Sequence, residues 1–524
     1  MLGQVMTVAG SQMTVDHEVA EPGDGRVRIG AMVKVPGAGH QVVGTISAIR
    51  VEGGSTRRRL LVVDLLGETV STAGDRTVFR RGVTRHPVSG APVLAATDAD
   101  LRTVYAPPSV ASLPIGTLHH NPAQPAFLLM DRLLAKNFAV LGMTGSGKSC
   151  AVTFILSTIL ADHPNAHVML LDAHNEYASA FGEVAEIVNV DNLQLPFWLF
   201  DSEEAVRVLV RGGTSQEQEA QTIILKDAIA RARRHYAGEN TAESPITVDT
   251  PVPFRTFDLV RFLDEGMGKL DNPNTTAPYL RLKMRLDSLR QDRRFGFMFS
   301  DSIVTRDRLA QVVGRLLRIP VCGKPVTIID LSGVPSEIAD VVVSLSCRVT
   351  FDFALWSEPG QMPPILLICE EAHRYVPADE RVGFAETARV IARIAKEGRK
   401  YGVSLGLISQ RPSELSPQAL SQCGTIFALR LGNDLDQQFV AAALPDTARG
   451  MLAALPSLGT QEAIVCGEGV ALPMRIRFGH LPFERRPRSA SAEYSKIWRF
   501  DTVGADFIED GIRRWRQQTR SLQR

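Results

Sequence analysis

One octapeptide limits what this chain can fold into more than any other feature: Gly142-Met143-Thr144-Gly145-Ser146-Gly147-Lys148-Ser149. It stands directly after the apolar run NFAVL and directly before the helical run CAVTFILSTIL. A strand, a glycine loop and a helix in that order curl backbone N–H groups round phosphates, and the helix N-terminus adds partial positive charge. Lys148 is then placed to reach the β- and γ-phosphates, and the Ser149 hydroxyl to ligate Mg²⁺. Gly142, Thr144, Gly145, Ser146, Gly147 and Cys150 complete the expected ATP-binding set. The competing reading is a glycine loop that no longer binds nucleotide.

Such a loop belongs to a parallel sheet buried on both faces, and the surrounding text supports one. The runs NFAVLGM, HVMLLDA, PVTIIDLSG, PILLICEEAH, VSLGLISQRP and GTIFALRLGN are nearly continuous apolar stretches ending in polar or glycine-containing turns. An α/β layer follows. Two acids, Glu370 and Glu371, follow the fourth run. Glu370 is assigned to the metal shell, and Glu371 to the base that takes a proton from the water attacking the γ-phosphate. Simple capping of the next helix is the alternative. Gln410, at the tip of the fifth run, is the candidate γ-phosphate sensor. The cationic stretch ARVIARIAKEGRK offers Arg399 as a transition-state finger, with Arg393 and Lys396 behind it; a solvated helix face explains the stretch equally well.

The rest of the chain organises round this core. Short β-like runs between Val27 and Leu101 read as a small barrel or curled sheet, giving a first domain over 1–105. Ala106 to Pro114 reads as a linker. The α/β layer occupies 106–200 and 301–484, interrupted over 201–300 by an insertion with helical apolar spacing. A more basic segment covers 485–524. Lys+Arg 58 against Asp+Glu 57 leaves a net charge of +1, so no global field recruits nucleic acid or an anionic membrane. Within the insertion, Arg231 to Arg234 and Arg281, Lys283, Arg285, Arg290, Arg293 and Arg294 are cations that could face a polyanion, and surface solvation of the helices explains them equally well. Six scattered cysteines without a C-x-x-C pair, and no apolar stretch of membrane length, point to a reduced, cytoplasmic protein.

Taken in order, these pieces resemble the HerA branch of the HerA/FtsK superfamily of P-loop motor ATPases. Supporting segments are IGTLHHNPAQPAFLLMDRLLAKNFAVLGMTGSGKS, DAHNEY, IIDLSGVPSEIADVVVSLSCRV and LPSLGTQEAIVCGE. The family's Asp-x-His-x-Glu-Tyr signature is matched by Asp172, His174, Glu176 and Tyr177, and its Gly-Arg-x-x-Gly element by Gly398, Arg399 and Gly402. The resemblance implies a RecA-like motor capped by an N-terminal barrel of the HAS type, assembled as a homo-hexamer with ATP between subunits and duplex DNA in the central channel. Arg399 would then act on the neighbouring subunit's nucleotide. It also implies a partner, either a NurA-like nuclease in DNA end processing or a sirtuin-like or other effector in phage defence. A ring that chiefly scaffolds such an effector, and a monomeric P-loop ATPase or kinase, are the other classes to be separated.

Overall fold

The computed structural model describes residues 1–19, 27–51, 58–72, 76–106, 110–238, 245–268, 273–299, 307–379, 381, 385–444, 449–488, 494–499 and 504–517. Residues Met1–Pro487 form one compact unit and Arg488–Arg524 a second.

Alternating apolar and polar positions in the first hundred residues produce strands with one face inward. These are β1 (Gly3–Ala9), β2 (Gln12–Glu18), β3 (Met32–Gly37), β4 (His40–Val51), β5 (Arg58–Thr72), β6 (Arg76–Arg81) and β7 (Pro92–Ala95). They run in the order β2-β1-β7-β3-β4-β5-β6, and an additional β2–β5 pairing closes six of them into a barrel. The length of β5 makes this possible. Its first half pairs with β2, and its second half leaves the barrel to pair with β6. Register shifts between β4 and β5, at Val43/Gly44 and Ile46/Ala48, mark the bulges that bend these long strands. Val5, Val15, Val33, Ile46, Leu61, Val63 and Val93 fill the interior. The barrel therefore starts at Gly3, earlier than the β-like text from Val27 indicates, because β1 and β2 supply two of its walls.

The linker expectation is corrected in part. Residues 107–109 lie outside the described set, but Ser112–Leu118 is a strand, β8, which pairs with β9 (Asn121–Leu129) inside the second sheet. That sheet adds β10 (Phe138–Leu141), β11 (His167–Asp172), β12 (Ala185–Val188), β13 (Val326–Asp330), β14 (Ile365–Cys369), β15 (Val403–Ser409), β16 (Thr425–Ala428), β17 (Glu462–Gly467) and β18 (Met474–Phe478). Its order is β12-β13-β11-β14-β15-β10-β16-β17-β18-β8-β9. From β12 to β16 every neighbouring pair is parallel; beyond β16 the pairs are antiparallel. All six apolar runs fall in the parallel part, and β10, β14 and β15 are buried at every residue. Two apolar clusters, one on each face, sandwich it.

The insertion is helical: Ser202–Leu209, Ser215–Ala237, Thr256–Met267 and Pro273–Gln291 pack round Trp198, Leu225, Leu259 and Leu286. Barrel and sheet share a small cluster of Met32, Val43, Leu66, Val104 and Leu472. In the second unit, the helix Ala505–Gln517 exposes Phe507, Ile508 and Trp515. Among the described residues no helix is long and apolar enough to cross a membrane. The six cysteines are free.

Candidate nucleotide site

The site is built at the carboxyl ends of β10, β11, β14 and β15, where open parallel sheets bind ligands. β10 stops at Leu141 and the helix Lys148–Asp162 begins after Gly147. Gly145 and Gly147 have φ of 77° and 99°, which a side chain would resist, and this lets the loop double back. The first intrahelical bond runs from Ala151 N–H to Gly147 O at 2.9 Å, and the N–H groups of Lys148, Ser149 and Cys150 have no acceptor among the described residues. Those free donors are what a phosphate would take.

Lys148 Nζ donates to Met143 O at 3.1 Å. Burial pulls its pKa down, opposed by the carboxylates of Glu371, Glu370 and Glu176. Ser149 Oγ donates to Glu176 Oε2 at 2.5 Å, and Thr144 Oγ1 donates to Gln410 Oε1 at 2.5 Å. Gln410 is therefore in direct contact with the phosphate loop. Glu370 and Glu371 are only 5% and 6% exposed. Burial, then the nearby Asp172, hold the Glu370 carboxyl well above the usual range. Glu370 Oε2 accepts the Ala173 N–H at 3.2 Å. Glu371 adopts a left-handed backbone, φ 52°, unusual for a residue with a side chain. Its Oε2 is buried without a hydrogen bond, leaving a carboxylate lone pair unused.

Asp172 is a builder of the site. Its carboxylate accepts N–H groups from His174 (3.2 Å), Glu176 (3.2 Å) and Tyr177 (3.0 Å), and so folds the turn after β11 that delivers Glu176 to Ser149. The residue-type reading missed Glu176 as a partner of Ser149, although the DAHNEY segment was the signal for it. It also missed Gln461, whose N–H donates to Ser146 O at 3.2 Å across the loop. Nothing local in the sequence marks Gln461, which arrives from the antiparallel side of the sheet.

The residues fit a magnesium ion. Oxygen donors of Ser149, Glu176 and Glu370 are the hard ligands this cation takes. The crowding that raises Glu370 is a repulsion that a cation relieves. Among the described residues no three His, Cys, Asp or Glu converge as a closed metal cage.

Arg399 is not brought to this pocket. It lies exposed in the turn Gly398–Tyr401, ahead of β15, whereas Gln410 follows the other end of that strand. Seven residues of strand separate the two edges by roughly 20 Å. Arg393 stacks on Phe351 at 4.7 Å and faces Glu397 at 3.7 Å, a structural pairing, and Lys396 is exposed.

The insertion cations mostly have internal roles. Arg233 is 1% exposed and donates to the carbonyls of Trp198, Phe200 and Thr250. Arg231 pairs with Glu265, Arg281 with Glu217, Lys283 with Asp264, Arg290 with Asp287 and Arg294 with Asp292. Arg285 donates to Val208 O. Burial takes Arg233 out of the candidate contacts, whereas the other paired cations stay at the surface.

A parallel sheet with a phosphate loop, a buried acid pair just after β14 and a strand-end glutamine touching that loop defines a RecA-like P-loop ATPase. Residues 113–349 match the family described as Helicase HerA, central domain. Among curated proteins, the chain is 27% identical over 443 residues to the DNA double-strand break repair helicase HerA of Pyrococcus furiosus, covering 78% of this chain and 76% of that one. It is 26% identical over 418 residues to the protein of the same name from Sulfolobus acidocaldarius, covering 79% and 77%. VirB4 of Thermoanaerobacter pseudethanolicus shares the fold, with a TM-score of 0.50 and 14% identity over 72% of this chain and 99% of its own. These similarities support a HerA-type ATPase.

Proposed function

We propose that the chain is an ATP-driven DNA translocase or helicase that works as a hexameric ring on duplex DNA. The loop donors and Lys148 hold the triphosphate, and Ser149, Glu370 and Glu176 hold Mg²⁺, which when bound offsets phosphate charge. Glu371 accepts the proton of the attacking water at Oε2, its unpaired oxygen. Gln410, hydrogen-bonded to Thr144, reads the γ-phosphate. Arg399 serves a neighbour's pocket. The observation that carries this reading is the split between a nearly complete cis site and an exposed arginine at the opposite edge of the same sheet. A cytoplasmic nuclease of the NurA kind, or another effector, is the proposed partner in end processing or phage defence.

ATP turnover measured with and without duplex DNA tests this. DNA should stimulate it, and Lys148→Ala and Glu371→Gln should each lower it by about 10²–10⁴-fold. A folded variant with undiminished turnover would remove that residue from the mechanism. The second reading, a ring that scaffolds an effector, is favoured by the exposed apolar residues Phe507, Ile508 and Trp515. It requires that effector activity survive Glu371→Gln while still needing assembly.

A further inference from the structure

Two histidines flank the Glu371 carboxylate. His174 Nε2 lies 3.5 Å from Oε1, and His373 Nδ1 lies 3.3 Å from Oε2. The two rings come from different elements: His174 follows β11, and His373 sits in the single turn Ala372–Arg374 after β14. His373 is also tied to a third strand, because its Nδ1 lies 3.1 Å from Ser409 Oγ at the end of β15. Ser409 is fully buried. Its hydroxyl oxygen accepts the Arg411 N–H at 3.0 Å, and its carbonyl accepts the N–H of Gly142, the first residue of the phosphate loop. The next residue is Gln410. A short run of contacts thus connects the loop and its sensor strand to the base.

The chemistry of these contacts fixes what His373 is. Burial lowers its pKa, with Glu371 and Glu414 opposing and Arg411 and Arg374 assisting, so the ring is neutral near pH 7. A neutral imidazole has one N–H. With that hydrogen on Nε2, the Nδ1 lone pair would face a carboxylate oxygen. With it on Nδ1, the ring donates to Ser409 Oγ and turns the same N–H edge toward Glu371 Oε2, which lies 3.3 Å away without a hydrogen bond of its own. The second tautomer suits these surroundings.

We infer that His373 and His174 are positioning residues that hold the two oxygens of Glu371 in line with the attacking water, His373 through Nδ1 and His174 through Nε2. Their contribution is to orientation, and it rests on the reading of Glu371 as the base. The left-handed backbone of Glu371 gives them something to do, since it aims the side chain along a path that no helix or strand would impose.

The two contacting nitrogens differ, and that makes the test specific. An asparagine amide nitrogen falls near the position of histidine Nδ1, and a glutamine amide nitrogen near that of Nε2. In full-length protein with saturating ATP and duplex DNA, His373→Ala and His174→Ala should lower kcat by roughly ten- to a hundredfold, while KM and the affinity for a fluorescent ADP analogue move less than about threefold. His373→Asn should recover most of the turnover and His373→Gln should not; for position 174 the order reverses, with His174→Gln recovering and His174→Asn failing. Equal behaviour of Asn and Gln at either position, or wild-type or raised turnover in His373→Ala, would overturn the inference. If an alanine variant does not fold, the Asn and Gln pair still decides. Glu371→Gln is measured alongside: full activity there defeats the base assignment itself, whereas an inactive Glu371→Gln beside fully active histidine variants defeats only the clamp.

Discussion

At the residue scale, the contact between Thr144 and Gln410 links the phosphate loop to the strand beside it. The Thr144 hydroxyl donates to the Gln410 carbonyl at 2.5 Å. Gln410 can engage a γ-phosphate with its amide N–H₂ while that oxygen stays bonded to the loop. Gln410→Ala should therefore lower kcat roughly tenfold or more and leave ADP affinity unchanged, since ADP lacks the group being read. Steady-state turnover with an ADP titration checks this, and parallel weakening of ADP would show a contact elsewhere on the nucleotide. Lys148, Ser149 and the acid pair were legible because their spacing is local: eight residues for the loop, two for the acids. Glu176 was half-legible. Its sequence neighbourhood was marked, but that it bonds Ser149 depends on the Asp172 turn.

At the element scale, the helices Ser336–Trp356 and Ala385–Glu397 meet over a half-buried carboxyl. Burial pushes Asp340 up to about 7, with the Thr387 hydroxyl and Arg207 opposing. An acid whose folded pKa is raised binds more protons folded than unfolded between its ordinary value, 3.8, and about 7. Stability contributed by this group is thus present at low pH and lost as pH climbs through that window. Asp340→Asn should flatten the dependence and, near pH 8, stabilise the protein by roughly 1–3 kcal/mol. Melting temperatures taken at about pH 5 and about pH 8 decide it; an unchanged slope in the variant would mean that another group titrates. The insertion teaches the same lesson about arginine. Arg231 to Arg234 looked like a basic patch in the text, yet Arg233 is an interior strut bonded to three carbonyls, because the helix Ser215–Ala237 turns that position inward. Charge composition cannot report which face of a helix is buried.

At the scale of the whole molecule, the sheet separates the phosphate loop from the arginine proposed as its finger. Arg399 stands at the starting edge of β15 and the phosphate loop at the finishing edge. A rigid sheet does not bring them together, so the proposed finger role of Arg399 calls for a second copy. Mixing two inactive variants tests this. Arg399→Ala keeps an intact loop but supplies no finger, and Lys148→Ala has a dead loop but still offers Arg399. In a randomly mixed ring about a quarter of the pockets combine a good loop with a good finger, so turnover should reappear on mixing, each variant alone being about 10³-fold or more impaired. No recovery in rings that light scattering shows to be mixed would place Arg399 outside the reaction.

The text of this chain by itself determined the parallel sheet, the phosphate loop and the helical insertion, because each is written in short-range pattern: continuous apolar runs, glycines at set spacing, helical periodicity. Only the tertiary structure decided how the barrel closes, through the long-range β2–β5 pairing, and that the sheet continues antiparallel through β17, β18, β8 and β9. It alone decided that Glu371 sits between two histidines from separate strand ends. Contacts between residues distant in sequence depend on packing geometry, which residue order along a single chain does not encode locally.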